Sequence, residues 1–236
     1  MSTLTMANMQ AEVLLTLNNE QTDHPLISAG LHVRAINEAV NRLIRMVGNA
    51  DLFPEKHVRL ATAAATSVSA NTISIPSTAT PLAIVTKVTC TESSSAPTLA
   101  ATTEKPLGES DMETIGLLNK ATTTTGYPKL WARYGESILY HPTTQTGYTT
   151  YLVVYGIAEE AALVSGAATT FGLNARWDQA IVFLAAADVA MKMGYADRAV
   201  ELDDWAKRRI ADSVNIMARQ RNSRRFSLRA AWAPRG

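Results

Sequence analysis

Apolar residues recur at three- and four-residue steps in two separated parts of the chain, with a stretch of different period between them. From Val33 onward, Ile36, Val40, Leu43, Ile44 and Val47 fall on one side of a helix, with Arg34, Asn37, Glu38, Asn41 and Arg42 on the other. That pattern predicts an amphipathic helix with one buried face, with Ser28 available to cap its start and Gly48 to end it. A shorter apolar run at 11–17, stopped by Asn18 and Asn19, predicts a helix ahead of it. Near the other end, Asn174 can cap a helix over 175–193 closed by Gly194, and 180–187 contain no polar residue. A helix apolar on nearly every side belongs at the centre of a bundle or in a subunit interface. The next helix begins at Asp197, with Leu202, Ala206, Ile210, Val214 and Met217 on one stripe. Its outer face offers the four-residue pairs Asp203–Lys207 and Asp204–Arg208. Trp177, Ile181 and Leu184 on the first of these helices, and Trp205 and Ile210 on the second, are expected in the subunit core or an interface.

Between His57 and Tyr155 the pattern turns to short runs rich in Thr, Ser, Val and Pro, which predicts strands at 73–75, 82–90, 129–134, 137–141 and 148–155. Gly135–Glu136 and the loop 142–147 separate the last three, as in an antiparallel meander. Large groups alternate onto both faces of 148–155, so that strand is expected to be covered on each side. Residues 92–127 are poor in large apolar groups and read as a long surface loop. A small helix interrupts it, where Ser110 and Glu113 have capping-box spacing and Met112, Ile115 and Leu118 follow. The expected fold is α+β: a bundle of N- and C-terminal helices, an inserted antiparallel β subdomain, and an extended basic C-terminal arm. The expected divisions are 1–56, 57–158, 159–218 and 219–236.

With 236 residues, 47% of them hydrophobic, the chain can bury a substantial core and should be globular. Cys90 is the only cysteine, so no intramolecular disulfide supports the fold, and its strand-like setting after Val88 suits a buried, inert thiol. Residues 1–10 lack the pattern of a signal peptide, and no apolar run reaches the roughly 20 residues of a membrane helix. The expected setting is therefore a cytoplasm or a particle assembled in one, with no membrane. The net charge of +1 conceals an asymmetry: residues 207–236 hold nine Lys or Arg against Asp212 alone, which leaves −7 on the remainder. An acidic body with a basic tail favours contacts between copies or with a partner.

Candidate chemistry is sparse. His24, His32, His57 and His141 are scattered without metal-ligand spacing, and Gly147, Gly156, Gly166 and Gly172 are too dispersed to cradle a phosphate. Glu159–Glu160 and Asp203–Asp204 read as solvated charge, and no serine sits in a nucleophile elbow. No catalytic residue, metal or cofactor is predicted. A hydrolase would need a pocket that brings His57 or His141 beside Glu136. The tail admits three readings. Six arginines and no acid from Arg219 to Gly236 could neutralise nucleic-acid phosphates, or the segment could be a solvated end. The third is a segment that orders on a protein partner, favoured because Phe226, Leu228 and Trp232 supply apolar anchors.

The order of elements resembles that of the head-to-tail adaptor (connector) proteins of tailed bacteriophages. The resemblance is carried by Ile36-Asn37-Glu38-Ala39-Val40 in the early helix, by residues 131–155 (WARYGESILYHPTTQTGYTTYLVVY), and by the closing helix pair over 174–221. Residues 92–127 have no counterpart in it. The resemblance implies a structural protein of the virion neck, not an enzyme. It implies a homo-oligomeric ring, twelvefold by that likeness, which joins the portal protein to tail or nozzle proteins and continues the DNA channel, with passive DNA contact at most. It also implies that Arg219, Arg221, Arg224, Arg225, Phe226, Leu228, Arg229 and Trp232 form the arm that docks on the portal.

Overall fold

The computed structural model describes residues 4–17, 30–48, 52–53, 56–63, 72–75, 81–92, 104–121, 125–142 and 150–231. The fold is mixed α and β, in two compact units: Met1–Lys56 with Glu160–Gly236, and His57–Glu159.

The first unit is helical. Helix α1, Met6–Thr16, starts five residues before the expected run, because the Thr5 side chain accepts from the Asn8 N–H and Met6, Met9 and Val13 form its buried stripe. Helix α2, Leu31–Val47, buries Ala35, Ile36, Ala39, Val40, Leu43 and Ile44. Its N-cap is Gly30, in the left-handed region at φ 76°, while Ser28, the expected cap, lies outside the described residues. Asn174 caps a 3-10 turn, Ala175–Trp177, by accepting from the Arg176 N–H, and helix α4, Asp178–Lys192, follows directly. Helix α4 is the centre of the unit, packed by α1, by α2 and by α5, Ala196–Ala231. Its alanines 180, 185, 186 and 190 are buried, and such small side chains let neighbouring helices approach closely. In α5 the stripe Ala199, Leu202, Ala206 and Ile210 is buried, as is Ser213, whose hydroxyl donates to the Arg176 carbonyl.

The extended arm expected from Arg219 is not extended: the backbone stays helical to Ala231. Arg, Ala, Gln and Leu are good helix formers, and no Gly or Pro interrupts α5 before Pro234.

The second unit holds two four-stranded sheets. One has the order β1-β8-β3-β4, built from β1 His57–Ala63, β3 Leu82–Glu92, β4 Lys105–Pro106 and β8 Thr150–Ala158, all antiparallel. The other has the order β2-β7-β6-β5, built from β2 Thr72–Ser74, β5 Gly108–Glu109, β6 Leu130–Tyr134 and β7 Ser137–His141, with β5 parallel to β6. Val88, Cys90, Leu152 and Val154 from the first sheet share a core with Ile73, Trp131, Ile138 and Tyr140 from the second. The expected three-strand meander is half correct. Strands β6 and β7 form a hairpin through Gly135, at φ 58°, and Glu136, but β8 leaves them to become a central strand of the other sheet. It does so because both its faces are apolar: Leu152, Val153, Val154 and Ile157 are all fully buried, which an edge strand could not achieve.

Strand β1 was not among the expected strands, although Val58 and Leu60 alternate with His57 and Arg59 and pack on the core. Helix α3, Met112–Ala121, is capped by Asp111 rather than Ser110: Asp111 Oδ1 accepts from the Thr114 N–H at 2.7 Å, and the Thr114 hydroxyl donates to Oδ2. It buries Ile115.

Candidate functional site

In the helical unit, Trp177 is fully buried and stacks on Phe53 with ring centroids 5.3 Å apart. Ile181, Leu184 and Ile210 are buried with it. Trp205 is separate from this group: it is 37% exposed, edge-on to Phe183 at 5.7 Å, with the Arg198 guanidinium 5.1 Å from its ring centre. Two adjoining grooves open beside it. The smaller, about 390 Å³, is lined by Phe183, Trp205, Arg208, Arg209 and Asp212. The larger, about 590 Å³, shares Phe183, Arg209 and Asp212 and reaches Leu4, Thr16, Arg176 and Ile216.

Neighbouring cations on α5 are paired. Lys207 bonds Asp203 at 2.8 Å, where Arg42 also converges, and Arg198 bonds Glu201 and donates to the Thr16 carbonyl. Desolvation raises the Asp203 carboxyl, but Lys207 and Arg42 outweigh it and hold the group below its ordinary range. Arg208 and Arg209 are exposed and have no ion-pair partner among the described residues.

Of the tail residues, Arg219 is exposed, and Arg221, Arg224, Arg225, Phe226, Leu228 and Arg229 lie on the last turns of α5. Trp232 lies outside the described residues.

The second unit carries the densest polar cluster, assembled from β1, β3, β8 and Glu104. Glu104 Oε1 accepts from Arg59 at 2.6 Å, while Oε2 accepts from the Tyr155 hydroxyl at 2.6 Å and from the fully buried Thr89 at 2.7 Å. Burial pushes the Glu104 carboxyl up, but the hydrogen bonds from Tyr155, Thr89 and Arg59 outweigh it and hold it below the ordinary carboxylate value. Burial, then the neighbouring carboxylate, raises the Tyr155 phenol, and the hydrogen bond to Glu104 raises the Arg59 guanidinium. These groups satisfy one another and tie three strands together.

Of the histidines weighed for a hydrolase pocket, His57 stacks on Tyr155, and His141 Nδ1 is 2.7 Å from Asn119 Oδ1. Among the described residues no group of three or more His, Cys, Asp or Glu could hold a metal, and no helix is long and apolar enough to cross a membrane. Cys90 lies inside the sandwich core.

A helical unit interrupted in sequence by a β sandwich, with its last helix basic, suits a structural assembly protein. The chain matches the family described as SU10 adaptor protein over residues 4–233, and it belongs to that family. It is therefore a structural phage adaptor, a component of the virion that contacts other virion proteins, in a family that is not enzymatic. No curated protein matches it.

Two features of the surface escaped the sequence: the Phe183–Trp205 groove, and a clamp of Asn37 and Asn41 on the chain at 160–163. The asparagines left a signal, since they sit four residues apart on the polar side of an amphipathic helix. The groove left none, because it needs two helices to cross.

Proposed function

We propose that this chain is a head-to-tail connector, whose copies form a ring that joins the portal to the tail and continues the DNA channel. In this proposal the end of α5 from Arg219 onward, together with Trp232 beyond it in sequence, is the docking arm on the portal. The observation that carries it is the length of α5. It has 36 residues against 15 in α4, its packing partner, and among its described side chains, which reach Arg219, the last buried one is Ser213. At about 1.5 Å per residue it outruns α4 by roughly 30 Å. A basic helical end rich in arginine suits insertion into a partner, with Phe226, Leu228 and Trp232 proposed as its anchors. The heterologous contact that a ring requires is compatible with an acidic body and a basic arm.

The test mixes assembled portal with the full-length chain and with a version ending at Met217, and counts rings by electron microscopy. Rings from the full-length chain alone support the arm; equal addition by both removes it from the docking role. A second reading rests on the six arginines from Arg219 onward, without an acid, which suit nucleic-acid phosphates. Its mark is salt-sensitive retardation of DNA that survives replacement of Phe226, Leu228 and Trp232 by alanine.

A further inference from the structure

Two exposed patches of opposite charge stand on this chain. One is the groove of Phe183 and Trp205. Its rim carries Arg208 and Arg209, both exposed and without an acid in ion-pair range among the described residues, and Asp212 offsets only one of them. The floor is aromatic, and Trp205 is 37% exposed. An arginine pair beside a partly exposed tryptophan is the composition of a binding hot spot rather than of an ordinary solvated face.

The other is the start of α3. Met112 is 47% exposed and Leu117 61%, while Ile115 is the one residue of the helix that is buried. Glu109 and Glu113, both exposed, stand before and after Met112 in sequence, and Lys120, the only cation of the helix, stands in its last turn. Asp111, also exposed, is engaged by Thr114. Met112 and Leu117, on either side of Glu113 along the helix, make with Glu109 and Glu113 an exposed patch, the α3 knob, whose two carboxylates have no ion-pair partner among the described residues and are opposite in charge to Arg208 and Arg209.

We infer that the α3 knob of one copy seats in the Phe183–Trp205 groove of the next, with Glu109 and Glu113 against Arg208 and Arg209. This rests on the ring proposed above and gives that ring its contact. Because the two patches differ, the contact is heterologous, and each copy keeps one knob and one groove free for its neighbours until the ring closes. The charges set register and approach, and the apolar groups supply the buried area. It also gives α3 a role in assembly.

Charge reversal tests it. Four full-length proteins are compared: native, a groove variant (Arg208→Glu with Arg209→Glu), a knob variant (Glu109→Lys with Glu113→Lys), and a chain carrying all four changes. Self-association is read by sedimentation velocity and ring addition to assembled portal by electron microscopy, with melting curves to show that each variant is folded. Each two-site variant is expected to associate on the order of tenfold more weakly than native, because like charges then face each other. The four-site chain, and an equal mixture of the two-site variants, are expected to regain native association. If the two-site variants fold and associate like native, or the four-site chain regains nothing, the knob-and-groove contact is wrong. A groove variant that loses a portal or tail protein but still self-associates assigns the groove to that partner and also overturns the contact. If the native chain forms neither oligomers nor rings, the ring has failed and the contact with it, whereas native rings indifferent to all four changes remove the contact alone.

Discussion

The Asn37 carboxamide pairs with both backbone groups of Leu163: Oδ1 accepts from the N–H at 2.9 Å and Nδ2 donates to the carbonyl oxygen at 2.9 Å. One turn along α2, Asn41 does the same for Glu160, at 2.8 and 3.3 Å. Two asparagine side chains thus stand in for a neighbouring strand and hold 160–163 against the helix. Asn37→Asp removes the donor and sets a carboxylate against a carbonyl oxygen. It should lower stability by about 1–3 kcal/mol, read from urea unfolding; a loss too small to measure would mean that the clamp is dispensable.

The Glu104 cluster should make the second unit acid-sensitive. Its folded pKa lies below the ordinary value of 4.5, so the stability it contributes is present above that value and is lost as the pH falls through the lowered one. Tyr155 has the opposite sign: its raised pKa gives stability present below the ordinary value of 10.0 and lost as the pH climbs through the raised one. Comparing urea midpoints at about pH 7 and about pH 3, Glu104→Gln should narrow the gap seen in the native chain. Tyr155→Phe should cost about 1–3 kcal/mol at neutral pH, since Glu104 loses a donor. An unchanged gap in Glu104→Gln would assign the acid sensitivity to other groups.

Gly156 sits where β3 bulges against β8, and a Cβ there would lie 2.5 Å from the Ile84 carbonyl oxygen. β8 is hydrogen-bonded on both sides, to β1 and β3, so neither backbone can yield cheaply. Gly156→Val should destabilise the second unit by about 3 kcal/mol, at the upper end for an overpacked site. Soluble protein with native melting behaviour would show that the bulge can open.

Trp177 and Trp205 should behave as opposites under truncation. Trp177→Ala leaves a void against Phe53 and should cost about 3–5 kcal/mol in urea unfolding. Trp205→Ala, at a partly exposed position, should cost less than about 1.5 kcal/mol in dilute solution. Equal losses would mean that Trp205 also belongs to the folded core.

The helical half was legible in the sequence because its signals are local. Ile36, Val40, Leu43 and Ile44 repeat at helical spacing, Asn174 caps, and Gly194 closes at φ 88°, so each can be recognised within a few residues. Ser110 against Asp111 shows the limit of such reading, since either side chain can cap and only the backbone's path selects one. The tail's basic charge was legible too, being a matter of composition alone.

Pairing between distant segments was not legible. That β8 leaves the β6–β7 hairpin to lie between β1 and β3 depends on which apolar faces meet, and alternation names a strand's faces without naming what covers them. The same holds for Asn37 with Leu163, for Glu104 with Arg59, and for Phe183 with Trp205, pairs separated by 126, 45 and 22 positions. By itself the sequence determined the helices, most of the strands, the lack of a recognisable catalytic motif, and the polarity of charge from body to tail. Only the tertiary structure decided which distant side chains meet, because that depends on which faces the rest of the chain has already covered.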